Sequence, residues 1–183
     1  MATESKITKQ FPFTEQIDIG KHSLLFYENS EQAEMIQFHI INQGLQKGIP
    51  HVLLTNENIR KVEDKMADEG IDIEGWKRKN LLHILNNIHG DPENSLKSFL
   101  NIWEKIKKDS SNNPFMLVGK AISDVSIEKG MLAELNIERH VNRNLNKTFG
   151  ALCCYDINNI EQNDRERWIS DLSQNHGETF LIR

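Results

Sequence analysis

The sequence predicts an α/β fold with three layers, in which a mostly parallel sheet of about six strands carries helices on both faces. Short apolar runs alternate along the chain with longer segments of helical periodicity. Within the runs, apolar residues do not alternate with polar ones, which is typical of strands covered on both faces, as in parallel sheets. The length of 183 residues and the 38% of apolar residues fit one domain with its own core.

Six apolar runs are predicted as strands. The segments between them are long enough for the crossover helices that parallel neighbours require. The predicted strands are residues 24–27, 52–54, 81–85, 115–118, 151–155 and 180–182.

Five segments have the apolar spacing of amphipathic helices. Gly48 and Gly70 are predicted to end the first two helices, and Asp91 with Pro92 to begin the third. Asn163 or Asp164 is predicted to cap the fifth. The apolar stripes of the five helices run through residues 31–47, 59–66, 96–106, 131–145 and 168–172.

Residues 1–20 are mostly polar and aperiodic, so we expect a flexible N-terminal arm ahead of a single domain over residues 21–183. The longest apolar runs have only about five residues, which predicts neither a membrane span nor a secretory signal. We therefore expect a cytoplasmic protein with no membrane partner. The 22 Lys and Arg against 27 Asp and Glu, a net charge of -5, argue against nucleic acid as a partner.

Polar residues follow the predicted strands where each strand ends. Ligands of open parallel sheets bind outside these carboxyl ends, so this rim is the predicted binding site. The alternative is that these residues only cap helices and turns. The rim carries Tyr27, Glu28, Asn29, Thr55, Asn56, Glu57, Asn86, Asn87, residues 120–124 with Lys120 and Asp124 at their ends, Tyr155 and Asp156.

One acidic residue of the fourth helix is predicted to be buried. On a helical wheel of residues 127–145, Glu138 lies near the centre of the apolar face and Asn142 lies beside it. A buried carboxylate needs hydrogen bonds, a cation or a proton, and such groups are frequent at functional sites. Two interpretations stay open: Glu138 faces a pocket, or it makes a structural tie with a backbone amide or a lysine.

No phosphate-binding loop is present in the sequence. The two Gly-Lys pairs, at residues 20–21 and 119–120, lack the leading glycine and the hydroxyl that a P-loop requires. The loop after the first strand, residues 28–31, is acidic and free of glycine, so it would repel a triphosphate. We expect no ATP, GTP or dinucleotide binding, and no cofactor.

Metal and nucleophile motifs are also absent. The seven histidines show no zinc-binding spacing, so no metal site is predicted. The adjacent Cys153 and Cys154 are expected in one strand, where they point to opposite faces as inert packing thiols. The alternative is that one of them lies near His22 or His176 and acts as a thiolate.

Five short motifs occur in order over about residues 20–183. They are His22-Ser-Leu-Leu-Phe-Tyr27-Glu28, Gly48-Ile-Pro-His-Val-Leu-Leu-Thr55, Gly70-Ile-Asp-Ile73, Asn136-Ile-Glu138-Arg-His-Val-Asn142, and Ala151-Leu-Cys-Cys-Tyr155-Asp156 followed by His176. Together they resemble the MEDS domain, the sensory domain named for methanogens, methylotrophs and the DcmR regulator. The resemblance implies a RecA- and KaiC-like fold without a P-loop, and a sensor of small hydrocarbon-derived molecules.

The resemblance also implies which polar residues contact a ligand. The residues that match its polar motifs are His22, Tyr27, Glu28, Glu138, Tyr155, Asp156 and His176. Thr55, Lys120, Asp124 and Asn142 complete the predicted ligand site. Where the family often has an arginine and a small-acidic turn, this chain has Lys120-Ala-Ile-Ser-Asp124. The histidine kinase or DNA-binding module that usually accompanies such domains is not found in this chain.

Three functions are compatible with these features of the sequence. The first is a non-catalytic sensing or signal-input domain that binds a small organic ligand at the rim and signals through a protein partner or a homodimer. The second is a cryptic RecA- or KaiC-like ATPase, or a thiol enzyme that uses Cys153 or Cys154. The third is a structural assembly module that uses the helix faces around Trp103 or Trp168.

Overall fold

Six parallel strands form one sheet in the computed structural model, which describes residues 9–86, 92–110, 114–145 and 147–183. The strand order is β3-β2-β4-β5-β1-β6, and every neighbouring pair is parallel. The predicted α/β class with a mostly parallel sheet of six strands is thus confirmed. The strands are β1 (His22–Tyr27), β2 (His51–Thr55), β3 (Leu82–Asn86), β4 (Phe115–Lys120), β5 (Phe149–Asp156) and β6 (Glu178–Ile182).

Six α-helices connect the strands within the described residues. They are α1 (Ser30–Gln46), α2 (Ile59–Asp68), α3 (Ile73–Arg78), α4 (Pro92–Ser110), α5 (Glu128–Asn144) and α6 (Arg165–Gln174). The short α3 was not predicted, because six residues carry too little periodicity. Asp72 caps it, with its side chain accepting from the Gly75 N–H at 2.9 Å. The predicted cap Asp91 and the rim residue Asn87 lie outside the described residues.

The helices cover both faces of the sheet, which gives the three predicted layers. Residues of α1, α2 and α3 share one hydrophobic core with alternate residues of β1, β2, β4 and β5. Residues of α4, α5 and α6 pack on the opposite face. Cys154 belongs to the first core, whereas Cys153 packs on the other side of the sheet. The two cysteines therefore face opposite layers, as expected for adjacent residues of one strand.

Part of the predicted N-terminal arm packs on the domain. Residues 9–20 include a 3₁₀ turn, Pro12–Gln16, in which Thr14 is buried. The ring of Phe13 stacks on Phe180 with 4.5 Å between centroids. The Gly20 N–H donates to the Phe149 carbonyl at 2.9 Å, so this segment continues into β1 along the sheet.

None of the helices in the described part of the chain combines the length and the apolar character that crossing a lipid bilayer requires.

Gly130 lets the first turn of α5 contact the backbone that follows β4. A Cβ atom at Gly130 would lie 1.6 Å from the carbonyl oxygen of Asp124, where no side chain fits. This close approach fixes α5 against the turn, and it thereby positions the acidic residues one and two helical turns further along.

Gly130→Ala is expected to lower the free energy of unfolding by about 2 kcal/mol, because the clash forces backbone shifts. Helix propensity alone predicts the opposite sign, a gain of up to about 1 kcal/mol. Urea unfolding measures the change. The matched control is Gly177→Ala, since a Cβ there meets its nearest atom, the His22 carbonyl oxygen, at an ordinary 3.8 Å. Equal stabilities for the two variants would contradict the close contact between Gly130 and the Asp124 carbonyl.

Buried His51 is expected to make stability depend on pH. Its Nδ1 donates to the Ile49 carbonyl at 2.9 Å, and only 2% of the residue is exposed. Burial lowers the pKa of His51 to about 4, although the hydrogen bond to Ile49 opposes the shift. The unfolded state therefore binds more protons between about pH 6.5 and pH 4, and the free energy of unfolding falls as pH falls through this window.

This contribution amounts to about 2 kcal/mol between pH 7 and pH 5. His51→Asn keeps an amide donor toward the Ile49 carbonyl but removes the titration. Between pH 7 and pH 5, the free energy of unfolding of the variant is expected to fall by about 2 kcal/mol less than that of the wild type. Urea unfolding at both pH values measures this difference. Other titrating groups are common to both proteins and cancel. An equal pH dependence in the two proteins would show that His51 is not the cause.

Candidate functional site

Four side chains from three elements and one connecting segment meet in the layer between the sheet and helices α5 and α6. They are His22 at the start of β1, Glu138 on α5, Cys153 on β5 and His176 between α6 and β6. One potential ligand atom from each lies within 4.8 Å of the other three. The side chains of His22 and His176 are fully buried, and that of Glu138 is 3% exposed. We call this group the His-Glu-Cys cluster.

Glu138 stands at the centre of the His-Glu-Cys cluster. Its Oε2 atom lies 3.1 Å from His22 Nε2, 3.5 Å from His176 Nε2 and 3.4 Å from Cys153 Sγ. The Cys153 Sγ atom is also 3.4 Å from His22 Nε2. Three different side chains thus surround one carboxylate oxygen.

The register of the strands places the cluster on one face of the sheet. Leu24 pairs with Cys153, so His22 and Cys153 point to the same side as alternate positions on neighbouring strands. His176 is held by its Nδ1 atom, which donates to the Leu172 carbonyl at 2.7 Å. The backbone of Gly177 donates to the His22 carbonyl at 2.8 Å, which brings the two imidazole rings to 3.9 Å between centroids.

In the His-Glu-Cys cluster, two buried histidine nitrogens make no hydrogen bond within the described residues. They are His22 Nδ1 and His176 Nε2. The Leu172 carbonyl can only accept, so the hydrogen of a neutral His176 ring sits on Nδ1. In that tautomer the Nε2 lone pair of His176 points into the cluster.

Charges within the cluster shift its pKa values. Burial raises the pKa of Glu138, but His176 and His22 outweigh this effect and hold it well below its usual range. Burial lowers the pKa of His176, but the Glu138 charge and the Leu172 hydrogen bond more than compensate, so its pKa is raised. Burial and the Glu138 charge raise the pKa of Cys153 well above that of a free thiol.

A second buried carboxylate, Glu134, lies one helical turn before Glu138. It accepts hydrogen bonds from the backbone of Ile122 at 3.1 Å and Ser123 at 2.8 Å, and from the Tyr155 hydroxyl at 2.9 Å. Burial and the Glu138 charge raise the pKa of Glu134 to about 7, against these hydrogen bonds. The Tyr155 hydroxyl also contacts Glu138 Oε1, so it links the two carboxylates.

A separate cavity opens at the carboxyl ends of the strands. Its volume is about 340 Å³. We call it the edge cavity. Its walls come from the ends of β1, β2, β4 and β5 and from the loops that follow them. The lining residues are Tyr27, Asn56, Lys120, Ala121, Ser123, Asp124, Val125, Cys154, Tyr155, Asp156 and Asn159.

Lys120 is the cation on the wall of the edge cavity, and acidic side chains surround it. Its Nζ atom lies 3.2 Å from Glu34 and 3.7 Å from Glu57. Lys65 contacts the same two carboxylates at 2.8 and 3.0 Å. The hydrogen bond with Glu34, together with Lys65 and Lys120, lowers the pKa of Glu57 to about 2, although burial opposes the shift.

The structure divides the sequence-predicted site residues into two groups and leaves three outside them. His22, Glu138, Tyr155 and His176 belong to the buried layer, and Tyr27, Lys120, Asp124 and Asp156 line the edge cavity. Tyr155 takes part in both. Thr55 is buried and accepts from the Glu57 N–H at 3.1 Å, while Glu28 and Asn142 are exposed outside both groups.

Sequence reasoning did not include Glu134 and Cys153 among the ligand residues, although both belong to the buried layer. It did name His22 and His176, but these two lie where β1 and β6 begin, remote from the rim at which the ligand was expected. Glu134 lies four residues before Glu138 and therefore on the same face of the helix, so this spacing could have predicted that Glu134 is buried as well. Cys153 was considered as a thiolate, but no spacing in the sequence relates it to Glu138.

Comparisons with known proteins agree with this architecture. A search of the curated proteins finds no match. Among solved structures, a KaiC-like protein from the hyperthermophilic archaeon Pyrococcus horikoshii OT3 has a similar fold, with a TM-score of 0.60 and 18% sequence identity. The similarity covers 84% of this chain and 69% of that one. The family described as "MEthanogen/methylotroph, DcmR Sensory domain" matches residues 21–176. The chain therefore belongs to the MEDS family.

Proposed function

We propose that this protein is a non-catalytic signal-input domain that binds a small organic molecule in the edge cavity. The observation that carries the proposal is a cavity of about 340 Å³ at the carboxyl ends of a parallel sheet, with several polar side chains on its walls. Ligands of open α/β sheets bind at this end of the strands, and binding pockets start at about 300 Å³. The description of the family as a sensory domain supports the same role.

The charges around the edge cavity favour a neutral or cationic ligand. Asp124 and Asp156 line the cavity. Lys120, the cation on the same wall, is already paired with Glu34 and Glu57. A phosphate group would therefore meet an acidic surface without an uncommitted cation among the lining residues, which disfavours a nucleotide.

Tyr27 supplies a hydrogen-bond donor rather than a base. Burial raises the pKa of its phenol, and the nearby Cys154 and acidic groups add to this shift. The hydroxyl therefore keeps its proton at any physiological pH and can donate to an oxygen or nitrogen of the ligand. A phenol of this kind recognises a molecule without activating it.

Tyr155 provides a route from the edge cavity to the interior. It lines the cavity, and its hydroxyl bonds to Glu134 and contacts Glu138. Glu134 in turn holds the backbone of the turn after β4. A ligand that prefers one position of Tyr155 would shift this turn and α5 together, because an equilibrium moves only through differential contacts.

The enzyme alternative that uses a thiol has weaker support. The pKa of Cys153 is raised well above its usual range by burial and by Glu138, and that of Cys154 is raised to about 12 by burial. Reactive cysteines have the opposite property, a lowered pKa in a positively charged surrounding.

Thermal unfolding of the full chain tests the proposal with a panel of short-chain alcohols, amides and amines, beside Mg-ATP and inorganic phosphate. We expect at least one neutral or cationic compound to raise Tm by several degrees, since a ligand at about 100 times its Kd adds about 2.7 kcal/mol. Tyr27→Phe and Asp156→Asn should each weaken the apparent affinity for this compound at least about tenfold, and the Tm shift should shrink accordingly. Asp68→Asn, an exposed substitution on α2, is the matched control and should leave it unchanged.

Two results would contradict the proposal. One is stabilisation by Mg-ATP that exceeds every compound of the panel, or steady ATP turnover. The other is the absence of any stabilising compound together with native mass spectra of freshly purified protein that show only the bare chain.

A further inference from the structure

The His-Glu-Cys cluster brings two imidazoles, a carboxylate and a thiol together in the layer between the sheet and α5. We propose that His22, Glu138, Cys153 and His176 bind one Zn²⁺ ion through Nε2, Oε2, Sγ and Nε2. This site lies inside the layer between the sheet and α5, so the proposal does not depend on a ligand in the edge cavity.

Four of the six distances between the ligand atoms are close to the edges of a tetrahedron around one ion, and the other two are no longer than 4.8 Å. Zn–N and Zn–O bonds of about 2.0–2.2 Å and Zn–S bonds of about 2.3 Å place the corners of a tetrahedron about 3.3–3.6 Å apart. Glu138 Oε2 is 3.1 Å from His22, 3.5 Å from His176 and 3.4 Å from Cys153 Sγ. Cys153 Sγ is 3.4 Å from His22 Nε2.

The Nε2 atom of His176 points into this centre. It belongs to a fully buried side chain, lies 3.5 Å from Glu138 Oε2 and makes no hydrogen bond of good geometry within the described residues. Its other ring nitrogen donates to the Leu172 carbonyl at 2.7 Å. Zinc-binding histidines typically show this arrangement, in which a backbone carbonyl fixes the tautomer and leaves the second nitrogen for the metal.

The carboxylate of Glu138 is oriented in the same way. Its Oε1 atom contacts the Tyr155 hydroxyl, and Tyr155 also bonds to Glu134. The remaining oxygen, Oε2, faces both histidines and the thiol. Partners behind the ligands usually tune metal affinity by about 10- to 100-fold, so Tyr155 is a positioning residue of this site.

The donor set selects zinc by chemistry and charge. Two nitrogens, one sulfur and one carboxylate oxygen in a tetrahedron suit Zn²⁺, whereas Mg²⁺ and Ca²⁺ prefer oxygen ligands in larger numbers. On binding, the Cys153 thiol and a protonated His176 Nε2 each lose a proton to solvent, and the Zn–S and Zn–N bonds form without any redox change. Thiolate and carboxylate then neutralise the two positive charges, which suits a buried site. Four protein ligands leave no open position, as in structural zinc sites.

The competing explanation is a metal-free ion pair between Glu138 and a protonated His176. The two explanations differ in the role of Cys153, which a metal requires and an ion pair does not. Cys154 provides the matched control, because it is the adjacent residue, equally a cysteine, and faces the opposite layer of the sheet.

The experiment uses the full chain, stripped with a chelator and titrated with Zn²⁺ or Co²⁺. We expect one Zn²⁺ per chain by elemental mass spectrometry and a rise in Tm on Zn²⁺ addition. Co²⁺ should give a thiolate-to-cobalt charge-transfer band and the intense visible bands of a tetrahedral ion. Cys153→Ser should abolish the charge-transfer band and weaken Zn²⁺ binding by more than about 100-fold, whereas Cys154→Ser should keep both.

His176→Gln is the second ligand variant and should also lose the tetrahedral Co²⁺ spectrum. If Cys153→Ser fails to fold, X-ray absorption of the Zn²⁺-loaded wild type replaces it and should show one sulfur ligand at about 2.3 Å from the metal. The proposal is overturned if the wild type binds less than about one Zn²⁺ per ten chains, if the charge-transfer band survives in Cys153→Ser, or if the absorption spectrum shows no sulfur ligand. None of these readouts depends on a ligand in the edge cavity.

Discussion

The buried carboxylate of Glu138 is the charge around which the layer between the sheet and α5 is organised. A carboxylate in a protein interior is stable only with hydrogen bonds or positive charge around it. Here β1 supplies His22, β5 supplies Cys153 and Tyr155, and the segment before β6 supplies His176. Four parts of the chain must therefore fold together before this one group is satisfied, which couples α5 to the centre of the sheet.

Alternation along β5 separates two chemical environments that are only one residue apart. Cys153 and Tyr155 face α5 and the buried cluster, while Cys154 packs on the opposite layer. Tyr155 extends from the edge cavity to the two carboxylates, so the cavity and the cluster share one side chain. Glu134 also accepts from the backbone of Ser123 in the turn after β4, so a chain of direct contacts joins the cavity wall, the two carboxylates and this turn.

Much of the fold could be predicted from local patterns. The six apolar runs became strands, because uninterrupted runs such as residues 151–155 can be covered on both faces only in a sheet between two helical layers. The short α3 escaped prediction, since a six-residue helix depends on its Asp72 cap and on packing rather than on periodicity. The burial of Glu138 was foreseen from the wheel, but its partners were not.

The sequence by itself determined the sheet, its layers, the absence of a phosphate loop and the buried face of α5, because these depend on spacing along the chain. Only the tertiary structure decided that Glu138 meets His22, Cys153 and His176, which are separated from it by 116, 15 and 38 positions. It also divided the expected site residues between an edge cavity at the rim and a buried cluster away from the rim. Strand order and register set these distances, and long-range pairing leaves no periodic signal in the sequence.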